Sequence, residues 1–141
     1  MKITMITGPT AGIGKSLAYQ LAQRGENLLL IARREERLRN ISEDIQNKFN
    51  VKVLYFVADL TTQEAPNSIY QYCKEHDLDV STLVLNAGYQ INTRLHEASI
   101  EDEEACLRVL GLSVIMQTKL HLTDFVKRGG GKIMVVSSIA A

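Results

Sequence analysis

Three features are missing from the sequence: an excess of charge of one sign, a long apolar run and a cysteine framework. The 16 basic and 16 acidic side chains among the 141 residues give a formal net charge of zero. This balance argues against a nucleic acid or an anionic membrane surface as the main partner. No apolar run approaches the roughly 18 residues of a membrane-spanning helix. Cys73 and Cys106 have no CxxC spacing, so we expect reduced thiols in a cytoplasmic protein.

Several common catalytic and targeting patterns are missing as well. No G-x-S-x-G pattern occurs, which argues against an acyl-transfer serine. The histidines His76, His96 and His121 do not cluster with the cysteines at metal-ligand spacing. The first residues, Met1–Thr4, pass directly into a strand pattern, so we expect no signal peptide. A single globular domain over residues 1–141 is therefore the expectation.

Short apolar runs alternate with longer segments of helical periodicity along the chain. The predicted strands are Lys2–Thr7, Asn27–Ala32, Val51–Val57, Thr82–Leu85 and Lys132–Ser137, and the predicted helices are Ile13–Arg24, Arg34–Phe49, Glu64–His76 and Ile100–Lys127. We expect a break in the last helix near Gly111. This alternation predicts an α/β, Rossmann-like fold, a doubly wound parallel sheet in three α/β/α layers. The run Asn27–Ala32 is typical of a strand covered on both faces. The run Ile133–Val136 also suits a buried strand, but with no strand beyond it we expect it to lie at an open edge of the sheet.

A glycine-rich turn between the first strand and the first helix is the candidate binding site. Gly8, Gly12 and Gly14 occupy three of its positions. Free N–H groups and the positive end of a helix make such a turn an anion site. We assign Gly8 to the tight turn, Gly12 to the close approach of a pyrophosphate, and Gly14 to close packing of helix on sheet. A purely structural turn is the weaker interpretation, because this loop has the strand–turn–helix context that the motif requires.

Two classes of nucleotide-binding protein compete for this loop. Gly14-Lys15-Ser16 imitates the end of a P-loop, and Val53–Asp59 imitates the apolar strand that ends in a magnesium-binding aspartate. The P-loop spacing fails by one residue. Pro9, which has no N–H to offer a phosphate, also stands where a P-loop needs glycine. A P-loop NTPase is therefore the second hypothesis, and a dinucleotide-binding protein is the first.

Four short motifs together resemble those of the short-chain dehydrogenase/reductase family. They are Thr7-Gly8-x-x-x-Gly12-Ile13-Gly14, Asp59-Leu60 after the third strand, Asn86-Ala87-Gly88 after the fourth and Ser137-Ser138 after the fifth. Their order and spacing match the family over nearly the whole chain. The resemblance implies an oxidoreductase that transfers a hydride between a nicotinamide cofactor and a small carbonyl or secondary alcohol substrate. It also implies a homo-oligomer that pairs through the long helix.

The resemblance gives each of the later motifs a role. It implies that Asp59-Leu60 meets the adenine ring, that Asn86-Ala87-Gly88 supports the nicotinamide ribose, and that the Ser138 hydroxyl orients the substrate. Plainer roles exist beside these. The Asp59 carboxylate can cap the turn that follows it, and the Ser138 hydroxyl can tie down a strand end.

The end of the second strand bears on the choice of cofactor. Arg33 and Arg34 stand where an NAD-binding chain carries an acidic residue. The planar arginine fork can donate two hydrogen bonds to adjacent oxygens of a 2′-phosphate. We therefore predict NADP(H) rather than NAD(H), with Arg33 as the main ligand and Thr10 as a helper. The competing interpretation is a solvated helix start of mixed charge over Arg34–Arg39.

The family's catalytic set is incomplete in this sequence. In the family a tyrosine, with a lysine four residues later, follows the serine, whereas Ala141 is only three residues past Ser138. Tyr70 and Lys74 have the required residue types and spacing, but they precede the Asn86 motif, so we attribute the match to chance. Counting back from Ser138 puts Leu110 or Gly111 where the family has a catalytic asparagine.

These departures shape what we expect of the chain. Tyr89 lies nearer the site, but no lysine follows it at the required spacing. We expect residues 1–141 to be a dinucleotide-binding domain, incomplete after the fifth strand, from the amino-terminal portion of a larger enzyme. Alone, it should bind cofactor and turn over little or nothing. A non-catalytic dinucleotide-binding fragment is the remaining hypothesis.

Overall fold

Strands and helices alternate through residues 1–138, the part of the chain that the computed structural model describes. The strands are β1 (Lys2–Thr7), β2 (Leu28–Ala32), β3 (Val53–Val57), β4 (Asp79–Leu85) and β5 (Lys132–Val135). The helices are α1 (Gly12–Gln23), α2 (Glu35–Phe49), α3 (Ala65–Glu75), α4 (Ile100–Leu107) and α5 (Ser113–Lys127), with a π-helical segment, Arg108–Leu112, between α4 and α5. Every predicted element is present.

The five strands form one parallel sheet in the order β3-β2-β1-β4-β5. The chain moves outward from β1 to β3 and then returns to the other side of β1 with β4. Open α/β sheets bind ligands at the carboxyl ends of their strands, where the strand order reverses. The loops that follow β1 and β4 meet at this point. The α/β, Rossmann-like prediction is confirmed.

Each face of the sheet is covered by its own apolar cluster. Ile6 and Leu30 belong to the cluster under α1 and α2, and Met5 and Leu29 belong to the cluster under α3 and α5. Neighbouring residues of a strand point to opposite faces, which explains this division. Residues 28–31 of β2 are completely buried. The prediction of a strand covered on both faces is confirmed for β2.

The second apolar run behaves differently from β2. The β5 side chains are exposed, with Ile133 at 39% and Val135 at 51%. Among the described residues, β5 has a neighbouring strand only on the β4 side. Burial of the run Ile133–Val136 is therefore not observed within residues 1–138, where β5 lies at the expected open edge of the sheet.

The long helix is interrupted where the sequence predicted a break. The π-helical segment buries Val109 and leaves Leu110 and Leu112 about half exposed. A π turn inserts one extra residue into a helix, so it changes which side chains face the sheet. This interruption directs Val109 toward the carboxyl edge of the sheet.

The two cysteines are free thiols in helices, as expected. Cys73 is buried in α3 and Cys106 is half-buried in α4. Burial raises the pKa of Cys73 to about 12, so its thiolate is scarce at neutral pH. Within residues 1–138, no helix has the length and apolar character needed to cross a bilayer.

Candidate functional site

The glycine loop after β1 packs so closely that two of its positions exclude any side chain. Gly8 has a φ of +67°, and a Cβ atom there would lie 2.8 Å from the Cα of Ala87. A Cβ atom on Gly14 would lie 2.2 Å from the Gly8 carbonyl oxygen and 2.3 Å from Nδ2 of Asn86. The start of α1 can therefore contact the loop and the end of β4 only because these residues are glycine.

Reciprocal hydrogen bonds between Thr7 and Asn86 hold the glycine loop against the end of β4. The buried Thr7 Oγ1 accepts hydrogen bonds from the N–H groups of Asn86, at 3.0 Å, and Ala87, at 3.1 Å. The Asn86 side-chain amide donates to the carbonyl oxygens of Thr7, at 3.2 Å, and Gly8, at 2.9 Å. The Asn86 amide therefore positions the loop. Sequence analysis assigned no role to the Thr7 side chain, because a threonine at the end of a strand carries no signal for these hydrogen bonds.

The amino terminus of α1 opens toward solvent with its positive end unprotected. Its N-cap residue is Ala11, no side chain caps it, and no acidic residue lies in its first turn. The first N–H groups of any α-helix have no partner within the helix. Gly12 is exposed, and so is Ile13, at 61%. This helix end can accept an anion.

A pocket of about 210 Å³ lies beside the loop at the carboxyl edge of the sheet. Eight of the predicted site residues line it: Gly8, Thr10, Arg33, Arg34, Asp59, Leu60, Ala87 and Gly88. They come from the ends of β1, β2, β3 and β4. The pocket also includes Tyr89 and Val109, to which the sequence assigned no binding role. Val109 has no signal in the sequence, because its orientation depends on the π-helical segment.

The other predicted site residues lie around this pocket rather than in it. Gly12 and Ile13 are at the exposed start of α1, and Gly14 and Asn86 lie beneath the loop. Ser138 is exposed and follows β5. The Val136 N–H donates to the Leu85 carbonyl oxygen at 3.0 Å, which keeps the chain alongside the end of β4. Ser138 is therefore at the same edge of the sheet as the loop.

The charges on the pocket wall are mostly uncompensated. Arg33 and Arg34 are exposed, and within residues 1–138 no carboxylate forms an ion pair with either. The Asp59 carboxylate accepts from the Thr61 N–H at 3.0 Å and from the Thr61 hydroxyl at 2.8 Å. The Asp59 carboxylate therefore caps the turn that follows it, which was the alternative to a role in adenine binding. The two guanidinium groups remain available to an anionic ligand.

A larger cleft, of about 590 Å³, lies at the opposite edge of the sheet, where the strands begin. Three of its charged side chains, Arg128, Asp79 and Glu26, have partners within the protein, whereas Lys2 and Lys132 form no ion pair among residues 1–138. Arg128 forms an ion pair with Asp79, and the Thr4 hydroxyl donates to Glu26. This cleft is larger, but it lies at the edge of the sheet opposite the glycine loop and the uncapped start of α1.

The pair Tyr70-x-x-x-Lys74 also lies near this opposite edge. Tyr70 Oη donates to Asp124 at 3.0 Å, and Lys74 Nζ bonds the same carboxylate at 2.7 Å. Burial alone would raise the pKa of Asp124, but the hydrogen bonds from Lys74 and Tyr70 lower it below its usual value. The pair joins α3 to α5, far along the helices from the glycine loop.

Comparison with known proteins decides between the two nucleotide-binding classes. The family model for short chain dehydrogenases matches residues 2–141. The chain belongs to this family. Membership explains all four motifs together, whereas the P-loop hypothesis explains only the glycine loop and one aspartate.

Individual relatives of this short-chain dehydrogenase chain are about twice its length. It is 33% identical over 140 residues to the very-long-chain 3-oxoacyl-CoA reductase of Bos taurus, covering 95% of this chain and 44% of the relative. The alcohol dehydrogenase of Thermococcus sibiricus complexed with 5-hydroxy-NADP is 35% identical, with a TM-score of 0.88 and coverage of 98% and 58%. The short-chain dehydrogenase of Sphingobium yanoikuyae in complex with NADPH is 26% identical, with a TM-score of 0.91 and coverage of 99% and 54%.

Proposed function

We propose that this chain forms the NADP(H)-binding part of an oxidoreductase that acts on a small carbonyl or secondary alcohol compound. The observation that carries the proposal is the meeting of an uncapped helix end with two unpaired guanidinium groups around one pocket. When bound, the nicotinamide supplies hydride transfer, and the protein supplies binding and orientation. The residues present fit such a cofactor.

The diphosphate is assigned to the glycine loop and the start of α1. The N–H groups of Gly12 and Ile13 lie at the positive end of the helix, and no side chain of the described residues caps that end. A diphosphate would provide the oxygen acceptors that these donors lack. Gly14 permits this arrangement by allowing α1 to begin directly against the loop.

The 2′-phosphate is assigned to Arg33, with Arg34 and Thr10 beside it. All three line the pocket. Charge-assisted hydrogen bonds from guanidinium to phosphate are among the stronger hydrogen bonds in proteins. The ligands in the Sphingobium yanoikuyae and Thermococcus sibiricus structures, NADPH and 5-hydroxy-NADP, support the same preference.

Substrate orientation is assigned to Ser138, whose place after β5 is at the same edge as the pocket. We propose that the proton-transferring tyrosine and lysine come from outside residues 1–141. We also propose pairing of two copies through the exposed apolar face of α4 and α5, where Leu107 is 67%, Ile115 63% and Val126 72% exposed. Exposed apolar patches of this kind mark interaction surfaces.

Titration with both cofactors tests the proposal. We expect the chain to bind NADPH about ten times more tightly than NADH, since a charge-assisted hydrogen bond contributes about 1.5–3 kcal/mol. Arg33→Ala should weaken NADPH binding by a similar factor and leave NADH binding nearly unchanged. Arg39→Ala is the matched control, because Arg39 is exposed on α2 and does not line the pocket. Equal affinity of the wild-type chain for the two cofactors would contradict the assignment.

Turnover is measured separately from binding. With NADPH and a panel of aldehydes and ketones, the 141-residue chain should bind cofactor without consuming it. Binding together with steady carbonyl reduction would show that the acid–base residues lie within this chain after all. Absence of binding to either cofactor would overturn the proposed function itself.

A further inference from the structure

Tyr89 forms one wall of the site pocket and is the single aromatic side chain among the described residues that line it. It follows the Asn86-Ala87-Gly88 motif and is half-buried. Its ring packs against the apolar cluster on the α3 and α5 face of the sheet. Leu60 and Val109 line the same pocket. The wall of the pocket away from the glycine loop is therefore apolar, with one aromatic ring in it.

The hydroxyl of Tyr89 is tied to the start of α4. Its Oη donates to Oδ1 of Asp102 at 3.3 Å. The Asp102 N–H in turn donates to the Ser99 hydroxyl oxygen, at 3.1 Å, in the N-cap of α4. The ring is thus held between the sheet and the first turn of a helix. A ring fixed in this way loses little conformational freedom when a ligand packs against it.

Arg33 lines the same pocket as Tyr89. Desolvation and the neighbouring Asp102 raise the pKa of Tyr89, while the positive charge of Arg33 opposes them. A ligand that occupies this pocket would therefore meet both the guanidinium group and the aromatic side chain.

We propose that Tyr89 binds the adenine ring of the dinucleotide by aromatic contact, and that its bond to Asp102 positions it to do so. This inference rests on the proposed function. Planar bases associate with aromatic faces in offset arrangements, and base–aromatic stacking contributes about 1–3 kcal/mol. Only Oδ1 of Asp59 is engaged with Thr61, so its carboxylate can still meet the edge of the adenine ring. Tyr89, Leu60 and Val109 line the same pocket and would contact the faces of the ring.

The test compares two variants that separate the ring from the hydroxyl. Tyr89→Leu keeps an apolar side chain but removes the ring, and Tyr89→Phe keeps the ring but removes the bond to Asp102. Binding of 2′,5′-ADP and NADPH is measured by calorimetry, and the adenine protons of 2′,5′-ADP are followed by NMR. We expect Tyr89→Leu to weaken both ligands about tenfold, and Tyr89→Phe to weaken them about threefold or less.

The adenine proton shifts distinguish contact with the ligand from a purely structural role, because a Tyr89 ring that does not touch adenine would not shift these protons. In the wild type and in Tyr89→Phe, the ring current should shift the bound adenine protons upfield, and in Tyr89→Leu this shift should vanish. The NADPH-to-NADH preference should stay the same in both variants, because Arg33 sets it. If the wild type binds these ligands and Tyr89→Leu binds them with the same affinity and the same adenine proton shifts, this inference is overturned and the proposed function is not. No binding of 2′,5′-ADP or NADPH to the wild type would overturn the proposed function with it.

Discussion

The two edges of the sheet carry similar side chains but use them in opposite ways. At the edge where the strands begin, Arg128 is paired with Asp79, and Lys74 with Asp124. At the edge where the strands end, Arg33 and Arg34 have no carboxylate partner among residues 1–138. The helix that starts at this second edge also lacks a cap.

This contrast favours the edge where the strands end as the binding site, although the cavity there is smaller. The cleft at the first edge, about 590 Å³, is larger than the pocket of about 210 Å³ at the second. The charges at the first edge contribute to folding by joining α3, α5 and β4. Arg33 and Arg34 at the second edge form no such ion pairs, which supports the proposal that they bind an anionic ligand.

The largest expected effect comes from closing the space inside the glycine loop. Gly14→Ala would force a Cβ atom to within 2.2 Å of the Gly8 carbonyl oxygen. We expect a loss of about 3 kcal/mol or more in the free energy of unfolding, with loss of NADPH binding. Urea denaturation and a binding titration measure the two effects. Gly111→Ala is the control, because a Cβ atom there meets nothing within 4 Å. Equal stability of the two variants would contradict the close packing.

The second effect is a dependence of stability on pH through His121, which lies in α5. Burial lowers the pKa of His121 from its ordinary 6.5 to about 4. The charges around it act in both directions, with Asp124 raising the pKa and Lys74 and Arg128 lowering it. Between these two pKa values the unfolded chain takes up a proton that the folded chain does not. Stability is therefore complete above pH 6.5 and falls as the pH decreases toward 4.

The size of this effect follows from the two pKa values. The free energy of unfolding should be about 2 kcal/mol lower at pH 5 than at pH 7.5. Urea titrations across this range measure it. His121→Gln should remove most of the slope between pH 6.5 and 5, and His96→Gln, which alters an exposed histidine, should leave it intact. A wild-type chain whose stability is the same at pH 7.5 and pH 5 would contradict the burial of a neutral imidazole.

The smallest effect concerns the ion pairs at the edge where the strands begin. Lys74 and Asp124 are 47% and 27% exposed, so their pairing should contribute less than about 1 kcal/mol. Lys74→Met should cost this amount in 50 mM salt, a loss that shrinks in 1 M salt as screening grows. Lys127→Met, at an exposed lysine in the last turn of α5, gives the background value. A change in NADPH affinity on Lys74→Met would contradict the separation of the two edges.

Local patterns were enough to predict most of the fold. The buried residues 28–31 of β2 and the alternation of strand and helix follow from apolar periodicity alone. Glycine spacing located the loop, because close packing at Gly8 and Gly14 tolerates no side chain. These features depend on residues near one another in the sequence, and the chemistry of each residue type limits what it can do.

Features set by distant contacts could not be predicted. β4 begins at Asp79 rather than Thr82, because Asp79 pairs with Arg128 and its N–H bonds the Met1 carbonyl oxygen at 2.8 Å. Val109 lies at the pocket because it is part of the π-helical segment. The Thr7 hydroxyl can accept the Asn86 N–H only because β4 lies beside β1. In each case the partner is tens of residues away or depends on an irregular helix.

The most direct test of the central claim is a map of amide chemical shifts on adding NADPH to the ¹⁵N-labelled chain. The account predicts that the largest changes occur at Gly8, Gly12 and Gly14 and next to Arg33, with little change around Asp79 and at the other residues where the strands begin. Shifts concentrated at that opposite edge, or a glycine loop unaffected by saturating NADPH, would contradict it.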